Sequence, residues 1–79
     1  MGSSMDNRAP RFDTSQPGVR QLQSWIRERT PLAIQLIDGS STNGVPRWVD
    51  AEYVGLEPAN GGELILVARQ AIALIRPLL

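Results

Sequence analysis

The sequence predicts a mainly β fold: one N-terminal α-helix, then five short antiparallel strands in a small, strongly bent barrel. Three observations carry this. Val19, Leu22 and Ile26 recur at helical spacing, and the stripe stops before Pro31. Apolar alternation begins at once, from Leu32. The remainder is cut by turn-forming clusters into four more segments of strand length. With 79 residues the chain makes one domain and not two.

Residues 1–14, MGSSMDNRAPRFDT, are polar and read as a flexible N-terminal arm, with Phe12 the side chain expected to dock on the domain. The helix opens at Ser15-Gln16-Pro17. Ser15 or Gln16 takes the N-cap, and proline suits the first turn, where its missing N–H leaves nothing unsatisfied. Trp25 lies at the edge of the apolar stripe, while Arg20, Gln23, Arg27, Glu28 and Arg29 fall on other faces. Arg27 and Arg29 are placed in the last turn, where cations meet the negative end of the helix dipole.

Leu32 to Ile37 form the first strand, closed by the Asp38-Gly39 turn. Ser40 to Gly44 read as a polar, flexible connection. Val45–Asp50 and Glu52–Glu57 are the next strands. Pro46 points to an edge position or a bulge, and Gly55 to a bend or bulge. Pro58 to Gly62 make a hairpin loop. Glu63–Val67 and Gln70–Arg76 complete the set, interrupted near Ala68-Arg69, and Pro77 ends the order. The domain therefore runs over 15–77, with 78–79 a short C-terminal end. Trp25 and Trp48 are expected to pack the helix onto the barrel. The alternative for Trp48 is an exposed position beside Arg47, as a protein-binding anchor.

Composition excludes several chemistries. The chain has no cysteine and no histidine, which removes disulfides, Cys/His zinc sites, thiol nucleophiles and imidazole bases. The carboxylates are scattered, with no metal-spaced pair and no nucleophile–base set, so a non-enzymatic protein without cofactors is expected. Chains below ~80 residues that lack such staples have marginal cores, and association with further copies is the remaining common remedy. Eight arginines balance eight carboxylates, there is no lysine, and net charge is zero. A general nucleic-acid binder carries a basic surplus, so any RNA binding here should be local, modest and salt-sensitive. No apolar run is long enough to span a bilayer, and the first 24 residues lack a signal-peptide core, so a cytoplasmic protein without membrane insertion is expected.

One helix passing directly into a five-stranded bent sheet resembles the Sm/LSm plan. Arg27-Glu28-Arg29-Thr30-Pro31, followed by Leu32 through Gly39, is similar to the helix-to-first-strand passage of the bacterial RNA chaperone family Hfq, where R-E-R-x-P precedes an alternating strand and an N-G or similar turn. Arg69-Gln70-Ala71-Ile72, with Ile75-Arg76-Pro77, is similar to that family's K-H-A-I segment and closing V-P. The helix VRQLQSWI and the Q-A-I wording most resemble the cyanobacterial branch. The resemblance spans 15–77, with a longer connection at 58–62 than in many relatives. It implies a homo-hexameric ring in which the fourth strand of one copy pairs with the fifth of the next.

The resemblance also implies three RNA-contact surfaces. At the outer rim, Arg27 and Arg29 match the family's arginines and Gln23 a polar position, while Ile26 replaces an arginine. The other reading of these residues is a solvated helix end that answers the dipole. At the pore, the lysine–histidine pair becomes Arg69 and Gln70, and Ala51 and Glu52 stand where glutamine and a stacking aromatic are usual. Tyr53 is next in sequence, but strand alternation turns it to the opposite face. Arg69 and Gln70 can instead serve as structural hydrogen-bonding groups across a subunit interface. On the opposite face, Gln35, Gly39, Ser40, Ser41, Thr42 and Asn43 occupy the A-rich-RNA positions without the usual aromatic; an ordinary polar loop is the alternative. Asp50 matches the family's structural aspartate. The implied function is RNA binding in post-transcriptional regulation involving small regulatory RNA and mRNA. A rival is a protein-binding scaffold ring at the type IV pilus base, with its assembly ATPase as partner and motility or DNA uptake as output.

Overall fold

The computed structural model describes residues 13–78; Phe12 and its expected docking lie outside the described residues. Helix α1 (Pro17–Glu28) precedes β1 (Leu32–Leu36), β2 (Ser41–Val49), β3 (Tyr53–Glu57), β4 (Ile65–Ala68) and β5 (Ile72–Pro77), with one 3-10 turn, Arg69–Ala71, between the last two strands. Among the described residues, no helix is long and apolar enough to cross a membrane.

The helix begins as its sequence requires. Gln16 is the N-cap, in extended conformation, without a side-chain cap bond, and Pro17 takes the first position. The C-terminus differs from expectation. Arg29 is not in the last turn; it is the cap residue, held at φ 56°, and its N–H donates to the Ile26 carbonyl at 3.2 Å. The Thr30 N–H donates to the Trp25 carbonyl at 3.0 Å, so two orphan carbonyls are satisfied before Pro31 turns the chain into β1.

The sheet order is β4-β3-β2-β1-β5, and every pair is antiparallel. Its bend comes from β2. Residues 41–44 of that strand pair with β1, whereas 45–49 pair with β3, so one strand passes from one half of the sheet to the other. Ser41 to Gly44 are therefore strand and not a flexible connection. Their polar side chains alternate on a half-exposed strand, a pattern that local propensity alone assigns to a loop. Pro46 sits in this central strand, fully buried, and the register shifts between Pro46 and Trp48. The bulge removes the demand for a ladder donor that proline cannot meet. The fourth strand starts at Ile65, two residues later than predicted, because the 58–62 loop continues through Glu63 and Leu64.

Leu22, Leu32, Ile34, Leu56 and Val67 form the core, with Trp25, Leu36, Val49, Ile72 and Ile75 packed against it. Val19 and Val54 are also buried. The two outer strands keep apolar side chains in water: Leu66 on β4 is 54% exposed and Leu74 on β5 is 45% exposed. Trp25 packs against the core as expected, whereas Trp48, 38% exposed, takes the alternative position open to it beside Arg47.

Candidate nucleic-acid interface

The end of α1 and the outer half of β2 enclose an open cleft of about 420 Å³, lined by Gln23, Ile26, Arg27, Arg47, Trp48 and Val49. Gln23 and Arg27 also line a second depression along the helix, with Arg20, Ser24, Gln21 and Thr14. Arg20 and Arg27 are seven residues apart, two helical turns, so they share a face with Gln23 between them. This is a continuous track of guanidinium and amide groups. Arg47 lies beside it but is ion-paired: its Nη1 donates to Glu57 Oε1 at 2.6 Å. Arg29 lines neither depression, because its cap conformation turns the chain away from the helix face. The structure thus joins Gln23 and Arg27, adds Arg20, and separates Arg29 from them.

A second site forms where the β2–β3 turn meets the 3-10 turn. Asp50 Oδ1 accepts from the N–H groups of Tyr53 at 2.7 Å and Glu52 at 2.8 Å. These two bonds, the Tyr53 one foremost, with a smaller contribution from the Arg69 charge, hold the Asp50 carboxyl below its ordinary value of 3.8. Arg69 clamps the same turn. Its N–H donates to the Glu52 carbonyl at 2.8 Å, and its Nη1 to the Asp50 carbonyl at 2.7 Å. These bonds lie within one chain. Beside them a small cleft of about 230 Å³ is lined by Ala51, Glu52, Tyr53, Ala68 and Gln70. Tyr53 and Glu52 therefore line one cleft, against the expectation that alternation would part them. Glu52 belongs to the turn before β3, where the two-residue period does not yet apply. The aromatic ring and the Gln70 amide share this cleft.

The opposite face of the sheet carries a third cleft, about 360 Å³, lined by Gln35, Gly39, Ser41 and Asn43 together with Ala33, Ile34, Leu74, Arg76 and Leu78. Four of the six residues expected on this face converge there. Ser40 does not: its hydroxyl donates to Asp38 Oδ1 at 2.6 Å, closing the turn. With the Ser40 N–H at 2.9 Å, it keeps the Asp38 carboxyl below its ordinary value. Thr42 is opposite Ile34 in the ladder and shares the face that Ile34 buries. Gly39 has φ 93°, which the tight turn requires and which glycine adopts without strain. Arg76 is the group that sequence reasoning missed on this face. Alternation along residues 74–76 puts Leu74 and Arg76 together, but only the β1–β5 register, Ala33 opposite Arg76, sets them beside Gln35 and Asn43.

Compared with known proteins, residues 16–77 match the family described as Hfq related. The chain belongs to the Hfq-related family. A solved Hfq protein from Anabaena is 31% identical, with a TM-score of 0.68 over 77% of this chain and 95% of that one. A second solved structure, described as the pleiotropic translational regulator Hfq, is 20% identical with a TM-score of 0.70 over 76% of this chain and 97% of that one. No curated protein matches. The one-helix, five-strand architecture of this Hfq-related chain is thus the Sm-like fold of those proteins, and the likeness to a cyanobacterial Hfq agrees with the branch its helix resembled. Among the described residues no group of three or more His, Cys, Asp or Glu could hold a metal ion.

Proposed function

We propose that this Hfq-related chain assembles as a ring of six copies and binds single-stranded RNA in the cytoplasm, in post-transcriptional regulation by small regulatory RNA. The observation that carries the reading is the Arg20–Gln23–Arg27 track opening into the Trp48 cleft. Guanidinium forks grip phosphate with charge-assisted bonds, and the amide adds a donor and an acceptor for a base edge. The solved relative described as a translational regulator supports the same class of action. The exposed apolar outer strands support assembly: β4 and β5 each have one free ladder side, and joining them across copies buries Leu66 and Leu74. Two RNAs held on one ring would pair at raised effective concentration. In such a ring Gln70, Tyr53 and Glu52 would face the pore, with Arg69 bracing the turn they stand on.

Binding of A-rich and U-rich oligonucleotides at physiological salt tests this, with an Arg20→Ala/Arg27→Ala variant beside the wild type. Micromolar or tighter binding that the variant loses is the expected result. A ring that binds neither oligonucleotide would instead support the protein-scaffold reading, with the type IV pilus assembly ATPase as its partner. Zero net charge and the Glu52 carboxylate in the Gln70 cleft are what favour that second reading.

A further inference from the structure

The Asn-Gly pair occurs twice in the chain, at Asn43-Gly44 and Asn60-Gly61, and the fold treats the two copies in opposite ways. This dipeptide readily loses side-chain ammonia, because glycine leaves the following backbone nitrogen unshielded and able to approach the amide carbon. Asn43 and Gly44 belong to β2, where Asn43 is opposite Ala33 and Gly44 opposite Leu32. Gly44 is buried, and a methyl group on it would stand 2.5 Å from the Glu57 carbonyl oxygen. Extended backbone packed this closely cannot turn to close a five-membered ring unless the ladder opens. Asn60 and Gly61 lie in the 58–64 loop, and both are exposed. Gly61 has φ 79°, and beyond its chain neighbours no atom lies within 4 Å of the place a side chain would take. Asn60 Oδ1 accepts from the Gly62 N–H at 2.8 Å, which folds the amide back over the Gly61 residue and draws electron density from Cγ. The Gly61 N–H donates to the Pro58 carbonyl at 3.1 Å, a turn bond that opens without disturbing a strand.

We propose that Asn60 is a site of spontaneous deamidation and isoaspartate formation, while β2 protects Asn43 from the same reaction. The deprotonated Gly61 nitrogen attacks Asn60 Cγ. The new C–N bond closes a cyclic imide, the Cγ–Nδ2 bond breaks, and ammonia leaves. Water then opens the imide. Attack at Cγ gives aspartate, and attack at the main-chain carbonyl carbon gives isoaspartate, in which the chain runs through the former side chain. The sum is one water consumed and one ammonia released, with no change of oxidation state. Each converted copy gains a carboxylate in a loop already bordered by Glu57 and Glu63, in a chain whose net charge is otherwise zero. The isoaspartyl form also lengthens the backbone by a methylene ahead of β4. Neither consequence depends on the RNA-binding reading.

The test uses the full wild-type chain, kept at mildly alkaline pH and sampled over time. Cleavage after arginine puts the two pairs in separate fragments, 30–47 and 48–69, which mass spectrometry reads together. Fragment 48–69 gains aspartate and isoaspartate at least about tenfold faster than 30–47, since Asn43 reacts only from the opened ladder. Its rate rises with pH, because the attacking nitrogen must lose its proton. In concentrated urea the two fragments convert at similar rates. Equal rates in the folded chain, or no conversion of 48–69, overturn the proposal. A preference for Asn60 that persists undiminished in urea overturns it as well, because neighbouring residues and not the fold would then set the difference. No variant is needed, so no folding defect can imitate any of these results.

Discussion

The cleft at the helix end and the cleft on the opposite face are close in size, about 420 and 360 Å³, but not in chemistry. The first joins Arg27 and Gln23 to an aromatic face and continues toward Arg20. The second offers amides and hydroxyls from Gln35, Ser41 and Asn43, two leucines, and one cation, Arg76. A chain with zero net charge therefore presents a cationic track on one side and an almost neutral surface on the other. Net charge describes long-range steering, whereas local affinity follows the few guanidinium groups that share a face. The helix end has a cation and an aromatic ring together, and the opposite-face cleft has hydrogen-bonding groups with no ring among them.

The largest change should come from removing the context in which either cleft works. Leu66→Asp places a carboxylate at an exposed apolar position of the β4 edge. Light scattering should then report a single-subunit mass, and RNA affinity should fall on both faces together. If the variant keeps the wild-type mass, β4 is not a joining edge. Next in size is the contrast between the faces themselves. Arg27→Ala should weaken single-stranded RNA by about tenfold to a hundredfold, as loss of a charge-assisted bond worth roughly 1.5–3 kcal/mol implies, whereas Arg76→Ala should stay within about threefold. Equal losses in the two variants would erase the asymmetry. Arg27→Ala should also flatten the salt dependence of binding, since one fewer phosphate is neutralised.

Gly55→Ala probes the aromatic side of the comparison. The added methyl meets the indole fusion carbons, so either Trp48 or the β2–β3 ladder must shift. Overpacking of this kind costs about 1–3 kcal/mol, which thermal or urea unfolding would register, and the Trp48 emission should change with it. Wild-type stability and unchanged emission would mean that the indole does not rest on Gly55.

The smallest effect is acid sensitivity of the turn beside the Gln70 cleft. Because Asp50 has its folded value below 3.8, its stabilising contribution is fully present above that pH and is lost as pH falls through the lower folded value. Thermal midpoints measured on descending pH should drop more steeply for wild type than for Asp50→Ala. Asp13 and Asp38 are lowered too, so the variant keeps part of the slope. Parallel curves would show that the Asp50 bonds to Tyr53 and Glu52 contribute nothing to folding.

The signals that were legible in the sequence are local ones. Pro17 and Pro31 fix the helix ends, alternation from Leu32 fixes β1, and Asp38-Gly39 fixes the first turn. The R-E-R-x-P passage then carries the family. What was not legible depends on partners distant in the chain. Ser41 to Gly44 become strand because β1 pairs with them. Trp48 stays exposed because the register brings a glycine beneath it. Arg76 joins the opposite face because β5 closes on β1. Tyr53 fails for another reason: the alternation rule was carried one residue too far, into a turn that Asp50 bonds hold. Gln23 and Arg27 were grouped by the family resemblance, and helical geometry agrees in placing them on one face, whereas the separation of Arg29 from them needed a backbone angle that the residue type does not advertise.

The sheet begins at β4 and ends at β5, and these two borders are different surfaces. Copies that meet border to border must queue head to tail, because a two-fold pair would match like with like and leave the other border bare. Every unfinished queue thus keeps one reactive end of each kind, however many members it has gained. Only a closed circle is inert, so population should collect in free subunits and complete circles, with little between.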